Sequence, residues 1–378
     1  MRIGVLRLTD AAPAIVAREL GFFAEENVPA VFSVEPSWGN IADKLAHGFL
    51  DAAVILPPLV FALTQGLRGT PCPLVVPQAI NIGGNSITLA RKLVDVLAPV
   101  SSEPAPVLER SRRFAVFARS RRSDPVRLAV VHQFSTHNLL LRYWLAAGGA
   151  DPDAHVAFTC IPPGRMVEAL ECGMIDGFCA GAPWGDVAAA QGLAVTVASS
   201  HGIWRNGPEK VFAVRRQFAD DNADLLEAAQ RALLRAAQYC DNPENAAAIA
   251  VILGRPEYLA ASPQLILPAL PHANADEHFW QRPGLRFFAH AATMPWLSHA
   301  EWYLHQMQRW GMLPAQTAVE EIAAAVYRPD LLRRAANNLG ISVPSINRKA
   351  EGHASAWTLE GTSSPIAMET DGFFDLNP

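Results

Sequence analysis

Cysteine is scarce in this 378-residue chain, and Cys72, Cys160, Cys172, Cys179 and Cys240 form no Cys-x-x-Cys pair. An odd number at such spacing argues against a disulfide framework or a zinc ribbon and fits reduced, mostly buried thiols. The roughly 18 consecutive apolar residues that a membrane-spanning helix requires are also missing. No charge of one sign dominates, since the formal net charge is -5 with 18% charged residues. Overall potential therefore draws neither nucleic acid nor acidic membrane, and any bound anion must be held by local positive charge. Nucleophile elbows of the Gly-x-Ser-x-Gly type, Walker loops, Gly-x-Gly-x-x-Gly fingerprints and His-Glu-x-x-His pairs do not occur. Of the eleven histidines, His132 and His137 are five apart but straddle a predicted strand end and helix start, so they do not share a helix face as zinc ligands do. These absences lead us to expect no enzyme activity, no cofactor and no metal.

Half of the residues are apolar, with 25 Gly and 29 Pro, a globular composition. The length exceeds the roughly 250–300 residues at which one hydrophobic core stops growing, so two lobes are expected. Met1–Leu8 reads as a strand, Ala11–Phe23 as a helix, Val31–Pro36 as a strand, Ile41–His47 as a helix and Ala52–Ile55 as a buried strand. Such alternation predicts an α/β fold with mostly parallel sheets, whose ligands sit outside the carboxyl ends of the strands. After Asn85, Ser86–Val96 reads as a connection. A second α/β unit follows, with strands at Leu128–Val131, Val156–Ile161 and Gly177–Ala180 and helices at His137–Ala147 and Arg165–Glu171. Val211–Val214 is expected to cross back, followed by a helix over Ala223–Tyr239. We therefore place residues 1–87 and 211–342 in one lobe and 88–210 in the other. The polar extension 343–378 is expected to be extended or disordered.

Seven arginines lie between Arg110 and Arg127: Arg110, Arg112, Arg113, Arg119, Arg121, Arg122 and Arg127. Without aromatic stacking residues among them they read as a solvated helix face, so no direct nucleic-acid binding is expected. Five other segments each fall at a strand end or loop: Ser37–Asn40, Gly83–Ser86, Ser135–Asn138, Gly181–Trp184 and Asn206–Lys210. Taken singly, each has an ordinary structural explanation. Taken together they supply what a planar monoanion needs. Trp38 offers a flat wall, Asn85 an amide donor, His137 a donor at a helix N-terminus, Gly181 an unobstructed backbone N–H, and Lys210 the compensating charge.

Longer runs around these positions resemble the nitrate- and bicarbonate-binding family of ABC-transporter receptors. They are Leu8–Pro13 with Gly21-Phe22-Phe23, Pro36–Leu45, Thr136–Asn138 with Arg142–Gly149, and Pro208–Val211. The resemblance implies the type II periplasmic-binding-protein fold, two α/β lobes with a ligand cleft between them. It also implies nitrate or nitrite as ligand, surrounded by Trp38, Asn85, His137, Gly181 and Lys210. Two departures stand out: Asn85 occupies a position commonly Gln, and Gly181-Ala182-Pro183-Trp184 lacks the Glu of the family's Gly-Glu-Pro-Trp segment. Bicarbonate-binding relatives tend to carry an acidic residue near the Lys210 position and to use calcium, so Lys210 points to nitrate or nitrite and away from a metal.

Met1–Asp10 runs into the first strand without the charged, apolar and small-residue regions of a secretory signal in succession. The expected location is therefore cytoplasmic, and the chain resembles the NasS-type sensors of nitrate assimilation. The implied partner is an RNA-binding ANTAR-type antiterminator, NasT-like, released when nitrate or nitrite binds. The alternatives are a transport receptor, whose signal was removed before numbering, and an enzyme related to thiamin-precursor synthases. The enzyme reading requires a reactive Cys–His pair, and no cysteine falls within the five segments.

Overall fold

Short, fully buried apolar runs such as Ala52–Ile55 are the strands of two separate five-stranded sheets. The computed structural model describes residues 1–97, 106–121, 123–271 and 284–375. The strands are β1 (Arg2–Leu6), β2 (Val31–Glu35), β3 (Ala52–Ile55), β4 (Leu74–Ala79), β5 (Asn85–Ala90), β6 (Val126–Val130) and β7 (Val156–Cys160). They continue with β8 (Gly177–Gly181), β9 (Ala194–Ser199), β10 (Trp204–Arg205) and β11 (Val211–Arg215). One sheet has the order β2-β1-β3-β11-β4 and the other β7-β6-β8-β5-β9.

Both sheets are mixed, which corrects the expectation of mostly parallel pairing. β1 runs parallel to β2 and β3, and β6 parallel to β7 and β8. β11 runs antiparallel to β3 and β4, and β5 antiparallel to β8 and β9. The reason lies in how the chain crosses between the sheets. Val211, the first residue of β11, pairs with Ile55 at the carboxyl end of β3. Asn85, the first of β5, pairs with Gly181 at the carboxyl end of β8. A strand entering a sheet at the carboxyl ends of its neighbours has to run against them. Residues 86–90 are thus a strand and not a connection, and the helix Arg91–Leu97 follows directly.

The two crossing segments lie side by side. Ile80 N–H donates to Lys210 O (2.8 Å), Glu209 N–H to Asn81 O (3.1 Å) and Gly83 N–H to Gly207 O (2.9 Å). Gly84, at the end of the first crossing, has a φ of +106° that disfavours other residues, and a Cβ there would stand 2.7 Å from Leu285 Cδ2. Around the first sheet, the helix Ala12–Glu19 buries Ile15 and Val16 against the long helix Ala223–Asp241. Each such fully buried side chain contributes about 1.5–3 kcal/mol. Beside the second sheet, the helix Thr136–Ala147 buries Trp144, whose ring lies 5.4 Å from that of Phe114.

The arginine-rich stretch is paired within the fold. The helix Val107–Ser120 buries Val107, Phe114, Ala115 and Ala118 on one face. Arg110 donates to Val197 O (2.9 Å), Arg113 pairs with Glu109 (2.9 Å), Arg121 with Asp124, and Arg127 with Asp176 (3.0 Å). Arg122 lies outside the described residues.

The C-terminal extension is laid over the molecule, with an antiparallel pair, β12 (Trp357–Leu359) and β13 (Ile366–Met368), then β14 (Gly372–Phe373) antiparallel to β10. Phe373 stacks on Trp204 at 4.5 Å and Trp302 at 5.7 Å, and the Tyr143 hydroxyl donates to Asp375 (2.7 Å). Within it, the buried Lys349 pairs with Glu351 (2.5 Å) and Asp371 (3.4 Å). Among the described residues, no helix is long and apolar enough to cross a membrane.

Candidate functional site

The carboxyl ends of β1 and β8 and the start of β11 meet where the two sheets face each other. Thr9 N–H donates to Ala182 O across this junction (2.9 Å), so the segment after β1 touches the segment after β8. Two helices open here. Ser37 caps the helix Trp38–Ala46 by accepting from Asn40 N–H (3.2 Å), and Ser135 caps the helix Thr136–Ala147 by accepting from Asn138 N–H (3.0 Å). Each cap fixes the first turn, and with it Trp38 or His137, at the junction. A helix N-terminus also contributes a partial positive charge of about half a unit.

The five residues singled out in the sequence converge. Asn85 and Gly181 are direct partners across β5 and β8. The Lys210 ammonium lies 5.5 Å from the centre of the Trp38 ring, close enough for a cation–π attraction. His137 Nε2 stands 3.7 Å from Glu209 Oε1. A Cβ on Gly181 would stand 3.2 Å from Asp10 Oδ2 and 3.5 Å from Asn85 Oδ1, so the bare backbone is what leaves room there.

Two residues absent from the sequence-derived set stand at the centre. Lys210 Nζ lies 2.8 Å from Asp10 Oδ2 and 2.5 Å from Glu209 Oε1. Asp10 (2% exposed), His137 (0%), Glu209 (1%) and Lys210 (0%) are all buried. The lysine expected to compensate an anion therefore already faces two carboxylates of the chain. Both acids lay within the runs that carried the family resemblance, Leu8–Pro13 and Pro208–Val211. Glu209 is the sequence neighbour of Lys210, but only the fold brings Asp10 to the same ammonium, since 200 positions (210 minus 10) separate the two.

Burial and charge act against each other in this cluster. Burial raises the Asp10 pKa above the usual carboxylate value despite Lys210. Burial pushes Glu209 the same way, but the charge of Lys210 and its hydrogen bond outweigh it, leaving that pKa lowered. For Lys210, burial disfavours the charged form, and the two carboxylates more than restore it. Burial, reinforced by Lys210 and opposed by Glu209, brings His137 down to about 3, so its imidazole is neutral at ordinary pH. Thr9 Oγ1, Trp38 Nε1 and both His137 nitrogens are buried without a hydrogen-bond partner. Buried polar groups are rarely left so, and a concentration of them marks a place built for something else to bond to. Trp38 N–H and one His137 nitrogen are donors, suited to an acceptor-rich ligand.

Cys179, two residues before Gly181 on β8, is the thiol that senses Glu209 and Lys210. Burial and the Glu209 charge push its pKa far up, so it stays protonated. Among the described residues, no group of three or more His, Cys, Asp or Glu side chains is placed to hold a metal ion.

Comparison with known proteins gives the family and the fold. The pattern of the NMT1-like family matches residues 1–254. The nitrate/nitrite binding protein NrtA of Synechocystis is 32% identical over 357 residues, 91% of this chain and 78% of the relative. The nitrate import ATP-binding protein NrtC of the same organism is 36% identical over 344 residues, 89% of this chain, which spans only half of that longer relative. The crystal structure of the periplasmic nitrate-binding protein NrtA from Synechocystis PCC 6803 superposes with a TM-score of 0.85 at 28% identity, covering 99% of this chain and 93% of that one. The chain adopts the two-lobed periplasmic-binding-protein fold and belongs to the NMT1-like family.

Proposed function

We propose that this protein binds nitrate or nitrite between its two sheets, in contact with Trp38, Asn85, His137, Gly181 and Lys210, and transforms neither. The observation that carries the reading is the set of unpartnered buried groups around Lys210, in a chain whose relatives are named for nitrate and nitrite. A planar acceptor-only anion accepts from Trp38 Nε1 at the edge of the indole and from His137, and passes over the bare backbone of Gly181. Asn85, one methylene shorter than Gln, reaches it directly or through water. Burial keeps the Cys179 thiol protonated, so it offers no thiolate nucleophile beside the ligand.

We further propose that binding is read as a signal in the cytoplasm. The ligand bridges both sheets, the segments 80–84 and 206–210 adjust, and the outer surface that holds an RNA-binding ANTAR-type antiterminator changes shape. The partner then leaves, because an anion that favours one arrangement lowers affinity for whatever favours the other. The lobes in this scheme are 1–87 with 211–342, and 88–210, and 343–378 is an added extension. A receptor serving a transporter is the second reading, favoured by the import role in the name of the NrtC relative.

Calorimetric titration with nitrate, nitrite, and bicarbonate plus calcium tests the ligand. Nitrate or nitrite should bind without added metal and stabilise the fold by about 2.7 kcal/mol at a hundredfold excess over Kd. Stronger stabilisation by calcium bicarbonate would overturn the ligand class. Co-purification with an ANTAR-type protein, lost on adding nitrate, tests the sensor role. A complex indifferent to nitrate, or recovery of the protein from the periplasm, would favour the transport receptor.

A further inference from the structure

Two acids share one ammonium in the site. With Asp10 and Glu209 ionised and Lys210 protonated, side-chain charge there sums to one surplus negative unit. The neutral His137 adds none. The N-termini of the helices Trp38–Ala46 and Thr136–Ala147 contribute about half a positive charge each, which balances that surplus but leaves nothing for a further anion. Like charges a few ångströms apart in a buried site do not all stay ionised.

Resting on the reading that the ligand is nitrate or a similar acceptor-only anion, we propose that the anion enters together with one proton and that Asp10 carries it. The proton comes from solvent and bonds to an Asp10 carboxylate oxygen. Lys210 keeps its own proton and its pairing with Glu209, and no bond in the anion changes. Asp10 then turns from an acceptor that repels the ligand into a donor that can bond to it. It lies beside the open backbone of Gly181, since its Oδ2 is the atom nearest to a Cβ built there. This makes Asp10 a specificity-determining residue, favouring anions with acceptors alone.

The other titratable groups facing this cluster are less suited. Glu209 is held ionised by Lys210. Cys179 on β8, Tyr303 on the helix Leu297–Arg309 and Tyr327 all sense the Glu209 charge, and burial keeps each of them protonated already. Of the two carboxylates, Asp10 is the one whose pKa burial has raised towards neutrality. His137 is the rival acceptor, 3.7 Å from Glu209.

The test is a proton count. Nitrate is titrated into the full chain at about pH 8 in buffers of different ionisation enthalpy, where protons taken up by the protein appear as a buffer-dependent heat. Nitrate itself does not titrate near neutrality. The expected result is uptake of roughly one proton per anion, with affinity falling by up to about tenfold per pH unit on the alkaline side. In Asp10→Asn, uptake should vanish and affinity should become flat with pH. Nitrate binding by the parent chain with no proton uptake and no pH dependence overturns the proposal whether or not the variant folds. A folded Asp10→Asn protein that still takes up a proton assigns it to His137 and overturns the role of Asp10. Failure of nitrate to bind at any pH between about 5.5 and 9 overturns the ligand reading and this inference with it.

Discussion

Replacing Lys210 with methionine removes the ammonium while keeping an unbranched chain of similar bulk, and the structure turns this into a question of folding as well as binding. The parent cluster has one cation between two carboxylates at 2.8 and 2.5 Å, all buried. Without the cation, Asp10 and Glu209 are left facing each other, and breaking a buried pair on one side costs about 3–5 kcal/mol. Their protonation offsets part of this, so the loss should depend on pH. Asp10 has a folded pKa above its ordinary value, so its contribution to stability is full below the unfolded pKa and is lost as pH rises through the folded one. Losing Lys210 removes the interaction that opposes this rise, which widens the window upward. Glu209 has a folded pKa below its ordinary value, so its contribution in the parent is present above the unfolded pKa and lost as pH falls. Lys210 provides the leading part of that, and the variant forfeits it. Urea denaturation followed by tryptophan fluorescence should show Lys210→Met destabilised by about 3–5 kcal/mol near pH 8 and clearly less near pH 5. Adding Asp10→Asn should recover part of the loss at pH 8. A single variant within about 1 kcal/mol of the parent at pH 8 would refute the reasoning, since that is the range of a solvated surface pair.

Gly181→Ala places a Cβ 3.2 Å from Asp10 Oδ2 and 3.5 Å from Asn85 Oδ1, and overpacking of this kind costs about 1–3 kcal/mol. Nitrate affinity by calorimetry should fall by about five- to 150-fold, and unchanged affinity would remove Gly181 from the ligand's surroundings. Phe373→Ala deletes the ring stacked on Trp204 and Trp302 and should cost about 3 kcal/mol in a denaturant melt; a loss within about 0.5 kcal/mol would mean that β14 contributes nothing to the fold.

Much of the fold was legible because its signals are local. Met1–Leu8, Val31–Pro36 and Ile41–His47 became β1, β2 and a helix close to the expected ranges, and Ala11–Phe23 became the helix Ala12–Glu19 with a short second helix, Phe22–Glu25, after Gly21. Ser37 and Ser135 mark helix starts in the sequence itself, as their side chains bond within three residues. The strand over Asn85–Ala90 was not legible. Its residues are all buried, so period-two alternation is lost, and its neighbours β8 and β9 come from far along the chain. The direction of β5 and β11 was equally hidden, because it depends on which end of a sheet the chain enters.

The sequence by itself determined the residue types that could meet an anion: the indole of Trp38, the imidazole of His137, the bare backbone of Gly181 and the ammonium of Lys210. It determined as well that they stand at strand ends and helix starts, where ligands of such sheets bind. Only the tertiary structure decided the electrostatic state of the site. Asp10 follows the first strand and the Glu209-Lys210 pair precedes β11, and antiparallel entry of β11 at the carboxyl end of β3 brings Asp10 to the lysine that Glu209 already neighbours. Charges couple through distance and burial, and neither quantity is written in the order of residues along the chain.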